Sequence, residues 1–181
     1  MQKELLQLFE GDSSQYLSIS LTGEMDERGK RKASYSTEHE PVTEELWKGH
    51  VEGKQQIGIR PENGDKLIWS CIDIDPANYK EYTSKKYVDI IRDFELPLVP
   101  VKSKSGGLHL FIFFSDWADK QKVKDKLEEI NKEYFLSKEV FPLNKGVGMP
   151  YFNANAAVEY AFDDTNTPLM LGGFLELAEK K

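Results

Sequence analysis

Residues 66–74 read Lys-Leu-Ile-Trp-Ser-Cys-Ile-Asp-Ile, a nearly continuous apolar run that breaks at Asp75-Pro76. A run of this length bounded by turn formers reads as a strand near the centre of a sheet, with neighbours on both sides. The rest of the chain offers those neighbours. Alternation or short apolar runs predict strands at 16–21, 56–60, 98–102 and 108–114, with shorter ones near 138–141 and 158–162. Helical spacing predicts helices over 1–10, after Thr43, over 79–95 and 118–135, and from about Leu171. Mixed elements with hairpin-like links predict an α+β fold, one mainly antiparallel sheet with helices packed against it. Residues 22–40 are polar and hold Arg28, Lys30, Arg31 and Lys32 within five positions. They read as a solvated loop or as a flexible phosphate-contacting arm.

Composition narrows the class. The 181 residues suit one domain or two small lobes sharing a core. Acidic residues outnumber basic ones by 31 to 24, a net charge of −7, which excludes a generally basic nucleic-acid coat but not a local basic groove. The single cysteine, Cys71, lies in the apolar run and cannot form an internal disulfide or a cysteine-rich zinc site. No stretch approaches the ~20 apolar residues of a membrane span, and the first residues lack a signal-peptide apolar region, so a cytoplasmic protein is expected.

Three features carry chemistry. Asp73-Ile74-Asp75 ends the apolar strand, so period-2 alternation puts both carboxylates on one face, about 7 Å apart. Such a pair can hold a hard divalent cation, with oxygen ligands near ~2.1 Å for Mg²⁺; it can equally be a polar strand end initiating a turn. The second is Lys102-Ser103-Lys104-Ser105-Gly106-Gly107-Leu108-His109, inside a stretch, 96–115, that holds no acid. Glycines let backbone N–H groups approach an anion, and flanking lysines and serines add charge and donors; a plain hairpin turn also accounts for the glycines. The third is Lys138-Glu139-Val140-Phe141-Pro142, an acid on a short apolar segment, which alone reads as a solvent-facing strand residue. If the three meet on one sheet face, they make a three-carboxylate cluster beside a triphosphate cradle, the equipment of two-metal nucleotidyl transfer.

These residues, in this order, resemble the archaeo-eukaryotic primase superfamily, and within it the primase-polymerase domains of bacteriophages and mobile elements. The family's Asp-x-Asp motif is seen as Cys71-Ile72-Asp73-Ile74-Asp75, and its small-residue/x/His motif as Ser105-Gly106-Gly107-Leu108-His109, with 33 residues between Asp75 and His109. Its hydrophobic-acid motif aligns with Glu139, with Glu159 and Asp163 as rivals. Trp47–Gly53, Ile57–Pro61 and Met149–Asn153 are also phage-like.

The resemblance implies an RRM-like sheet bearing the active site over residues 66–181, joined to an N-terminal α/β lobe over 1–65. It implies a single catalytic domain, excised from a longer protein with a helicase or helical module. Template-dependent nucleotidyl transfer from NTPs or dNTPs would follow, on single-stranded DNA template with a primer strand. Asp73, Asp75 and Glu139 would hold Mg²⁺ or Mn²⁺. His109, Ser105 and Gly107 would contact the triphosphate, Lys104 and Lys102 would supply countercharge, and Arg60 and Asn153 would contact nucleotide or template. Two rival classes remain. A non-catalytic single-stranded nucleic-acid-binding module could stack bases on Phe111 or Phe113, yet has no need of paired acids. A metal-dependent nuclease or replication initiator lacks its His-x-His pair, since Leu110-Phe111 follow His109 and the other histidines, His39 and His50, lie far upstream. A zinc enzyme lacks ligands for the same reason.

Overall fold

The computed structural model describes residues 1–25, 31–79 and 81–181; Arg28 and Lys30 of the basic stretch lie outside the described residues. The apolar run is β4 (Lys66–Ile74), and it does sit inside a sheet. It is followed by α3 (Ser84–Asp93), β5 (Val99–Lys102), β6 (Leu108–Asp119), α4 (Lys120–Ile130) and β7 (Glu139–Val140). The spatial order is β5-β6-β4-β7, with every pair antiparallel. This β-α-β-β-α-β order is the split βαβ arrangement of RRM-like sheets.

A second four-stranded sheet is built from β1 (Tyr16–Met25), β2 (Arg31–Glu38), β3 (Gln56–Ile59) and β8 (Val147–Gly148), in the order β2-β1-β3-β8. The single sheet expected from local patterning is therefore two. The N-terminal sheet also takes its last strand from residues far downstream, because β8 pairs with β3 through Gly58↔Gly148 and Ile59↔Val147. Residues 31–38, expected in a loop or arm, form an edge strand. Their sequence, Arg-Lys-Ala-Ser-Tyr-Ser-Thr-Glu, has no apolar alternation because an exposed edge ribbon buries neither face.

Alternation along β4 and its neighbours divides the apolar side chains between two cores. Ile72, Ile74, Leu108, Leu110 and Val140 point to one face and pack on Val88 and Ile91 of α3 and Val123, Leu127 and Ile130 of α4. Trp69, Cys71, Val99, Val101 and Phe111 join a second core. That core is completed by α1 (Gln2–Leu8), α2 (Glu44–Val51) and α5 (Leu171–Ala178), through Leu5, Trp47 and Phe174, with Phe9 just past α1. Each such side chain contributes roughly 1.5–3 kcal/mol by leaving water.

The starts of α2, α3 and α4 are fixed by side-chain caps. Thr43 Oγ1 accepts the Leu46 N–H at 3.2 Å, Thr83 Oγ1 the Lys86 N–H at 3.4 Å, and Asp119 Oδ1 the Lys122 N–H at 2.9 Å. Two predicted helices are shorter than their apolar spacing. The 79–95 helix begins only at Ser84, and the 118–135 helix only at Lys120, because β6 continues to Asp119. Between Leu67 and Trp69 of β4 the register with β6 slips, so the β6 residues between Phe113 and Ala118 bulge out opposite Ile68. The strand expected at 158–162 is reduced to two bridges, Val101↔Ala161 and Phe162↔Pro168. Among the described residues no helix is long and apolar enough to cross a membrane.

Candidate active site

On the Cys71 face of β4 the apolar core ends at Asp73, two residues further on. The cross-strand register then sets the composition of the site: Asp73 lies opposite His109 on β6 and opposite Glu139 on β7. Directly paired residues share a sheet face, so three strands deliver an imidazole and two carboxylates to one row. Asp73, His109 and Glu139 all line a cavity of about 320 Å³. Its far wall comes from the other sheet, where Leu17 and Ile19 of β1 and Val147 and Gly148 of β8 face it.

The glycine-containing loop forms the side wall. The Ser103 N–H donates to the Gly107 carbonyl at 2.9 Å, and the Gly106 N–H to the Ser103 carbonyl at 3.0 Å, closing a tight hairpin. Gly106 has φ +83°, the left-handed region that glycine enters without strain. Gly107 is required for a different reason: a Cβ there would lie 2.0 Å from the Ile74 carbonyl oxygen and 2.8 Å from Pro76 Cδ. The hairpin is thus pressed against the end of β4, beside the acids. Ser103, Lys104 and Ser105 line the cavity, and the Lys104 ammonium donates to the hydroxyl of Tyr35 on β2.

Electrostatics differ sharply among these groups. Burial, with the Lys104 charge adding to it, pushes His109 down to about 4, so its imidazole is neutral at pH 7. Its Nε2 stands 3.7 Å from Asp73 Oδ1, too long for a hydrogen bond. Glu139 is paired with Lys145 at 2.7 Å, and that lysine also lies over the Phe141 ring. In the sequence nothing in Leu143-Asn144-Lys145-Gly146 distinguishes Lys145 from a surface lysine.

The remaining expected residues are placed as follows. Asp75 does not line the cavity; its Oδ1 accepts the Ala77 N–H at 3.1 Å and caps the short 3₁₀ turn at Pro76–Asn78. Lys102 also lies off the cavity, with Nζ 5.2 Å from the Tyr160 ring centroid. Arg60 sits at the end of β3, where its carbonyl accepts the Asp12 N–H. Asn153 is held in the left-handed region at φ 51° with its N–H on the His50 carbonyl. Neither reaches the cavity wall.

Of the rival acids, Asp163 folds onto its own loop, accepting from the Thr165 and Thr167 N–H groups. Glu159 does line the cavity, but beside the hairpin and outside the cross-strand row. It is buried, accepts from Gln56 Nε2 at 2.7 Å and from the Lys104 N–H, and burial raises it to about 7. Phe111, considered for base stacking, is fully buried in the core.

Among the described residues no group of three or more His, Cys, Asp or Glu side chains stands ready to hold a metal ion. The donor chemistry nonetheless suits a hard cation, since Asp73 and Glu139 offer carboxylate oxygens side by side. A cation, the Lys145 ammonium, already stands on one of them.

No curated protein matches the chain. A family model does, over residues 11–144, well over half of the chain. The matched stretch contains the β4 acids, the glycine hairpin, His109 and Glu139, while Lys145, β8 and Glu159 lie beyond it. With that match and an RRM-like sheet carrying the row of His109, Asp73 and Glu139, the chain belongs to the archaeo-eukaryotic primase superfamily, in the family of the Archaeo-Eukaryotic Primase domain of TOTE conflict systems.

Proposed function

We propose that the domain catalyses template-directed nucleotidyl transfer, joining the 3′-hydroxyl of a strand to the α-phosphate of an NTP or dNTP and releasing pyrophosphate. The observation that carries this reading is the cross-strand row His109–Asp73–Glu139 at the floor of a cavity whose side wall is a lysine-bearing glycine hairpin. A binding module would gain nothing from acids facing phosphates. Mg²⁺ or Mn²⁺ held by Asp73 and Glu139, with Asp75 joining once its carboxylate leaves the Ala77 N–H, would acidify the 3′-hydroxyl and neutralise the leaving pyrophosphate.

The chain's own groups do the positioning. The Ser103–Ser105 wall presents hydroxyls and backbone to the triphosphate, and Lys104 supplies its positive charge. His109, neutral, offers a single N–H to a phosphate oxygen and keeps a second charge out of the row. The β1–β8 wall, largely apolar, leaves space for sugar and base. Single-stranded DNA template and primer are the partners in this reading.

Primer extension with labelled nucleotides on single-stranded DNA, in Mg²⁺ and in Mn²⁺, tests it. Asp73→Asn should lower incorporation by about a hundredfold or more while leaving thermal unfolding unchanged. Undiminished synthesis by the variant would reject the assignment.

A further inference from the structure

The ion pair between Glu139 and Lys145 is out of place as a stabilising contact. Both side chains are nearly half exposed, at 43% and 49%, where such pairs contribute little to folding. Yet the backbone that carries Lys145 is pinned on both sides. The Asn144 N–H donates to Glu62 Oε1 at 3.0 Å. Gly146 is pressed so closely on β1 that a Cβ there would meet Leu17 Cδ1 at 2.6 Å. The main chain is therefore held at the cavity rim while the long side chain stays free to choose an anion. It has chosen Glu139, the carboxylate paired in register with Asp73.

Two acids side by side on one sheet face repel, and a cation must offset them. We propose that Lys145 is a resident counter-ion: it occupies Glu139 in the metal-free protein, competes with the divalent cation for that carboxylate, and is displaced when the cation binds. The released ammonium stays at the β7 end of the row, with Lys104 on the hairpin at the β5–β6 end, and bound polyphosphate is the next anion for it to meet. Metal loading and the positive charge offered to the nucleotide are thereby linked, so the site does not carry two unscreened acids when empty. This inference rests on the reading of Asp73 and Glu139 as metal ligands.

Direct binding of Mn²⁺ to the nucleotide-free chain, followed by electron paramagnetic resonance of the free ion, separates the two. Removing one positive charge beside the site in Lys145→Met should tighten Mn²⁺ binding about three- to tenfold. Lys145→Arg, which keeps the charge, should stay within about twofold of the parent chain. In an Glu139→Gln background the gain from Lys145→Met should vanish, since the carboxylate competed for is gone. Unchanged or weaker Mn²⁺ binding in Lys145→Met, or a gain that persists with Glu139→Gln, overturns the counter-ion role. In that case Mn²⁺ binding that still weakens with Asp73→Asn leaves the metal reading standing. Mn²⁺ binding that ignores Asp73→Asn removes the metal reading and the counter-ion role together.

Discussion

Two buried titratable side chains show how single residues tie together the elements around the cavity. His50 on α2 accepts the Ile57 N–H on Nδ1 at 3.2 Å, so its Nε2 carries the proton and donates to the Pro150 carbonyl at 2.9 Å. Burial pushes it down to about 4, and the neutral ring ties α2 to β3 and to the 150s segment. Glu159 joins Gln56 of β3 to the Lys104 N–H of the hairpin, and so fixes one sheet's wall against the other's. Burial holds it near 7, against a carboxylate's ordinary 4.5. The protonated form is the one that fits the interior. Its contribution to stability is complete below about pH 4.5 and is lost as the pH rises through about 7. Between pH 5.5 and 8.5 the parent chain should therefore lose roughly 2 kcal/mol relative to Glu159→Gln, read from denaturant unfolding at the two pH values. Parallel pH profiles for the two proteins would show that Glu159 does not titrate in this range.

At the scale of elements, the glycine hairpin between β5 and β6 is the piece whose conformation the site depends on. Its two glycines do different work, and substitution should separate them. Gly106→Ala meets no neighbour but must hold φ +83°, which costs about 1–2 kcal/mol. Gly107→Ala drives a methyl into the Ile74 carbonyl, so the hairpin must lift off β4 at a cost of about 3 kcal/mol or more. Nucleotide affinity should fall at least about tenfold more in Gly107→Ala than in Gly106→Ala, measured by fluorescence titration. Equal losses would mean that the seat of the hairpin on β4 is immaterial. Much of this scale was legible in the chain. Short apolar runs bounded by turn formers placed β4 and β6, and the cap at Thr43 and the break at Gly106-Gly107 were visible as residue types. The start of β1 was legible too, but β2 was not, because an exposed edge strand writes no apolar pattern. The end of β6 was hidden by its bulge, where Asp116-Trp117-Ala118 imitates the start of a helix.

The whole molecule is two sheets closed over one aromatic centre. The Phe9 ring lies 5.7 Å from Trp47 on α2, 5.3 Å from Trp69 on β4, 5.3 Å from Phe111 on β6 and 6.1 Å from Phe174 on α5. Phe9→Ala should cost about 3–5 kcal/mol, because a large cavity opens where no single neighbour can collapse into it. Since the cavity takes one wall from each sheet, nucleotide binding should weaken in the folded variant as well. A variant that loses stability and keeps full affinity would show that the lobes align independently of this centre. The sequence by itself determined the central strand, its terminal acids, the hairpin and the α+β class, because side-chain alternation and turn chemistry are local properties of a few consecutive residues. Only the tertiary structure decided that Glu139 lies beside Asp73, that Asp75 caps a short 3₁₀ turn, that β8 joins the far sheet and that Lys145 stands on Glu139. Those outcomes depend on cross-strand register and lobe packing between residues distant in the chain, where no local pattern carries the information.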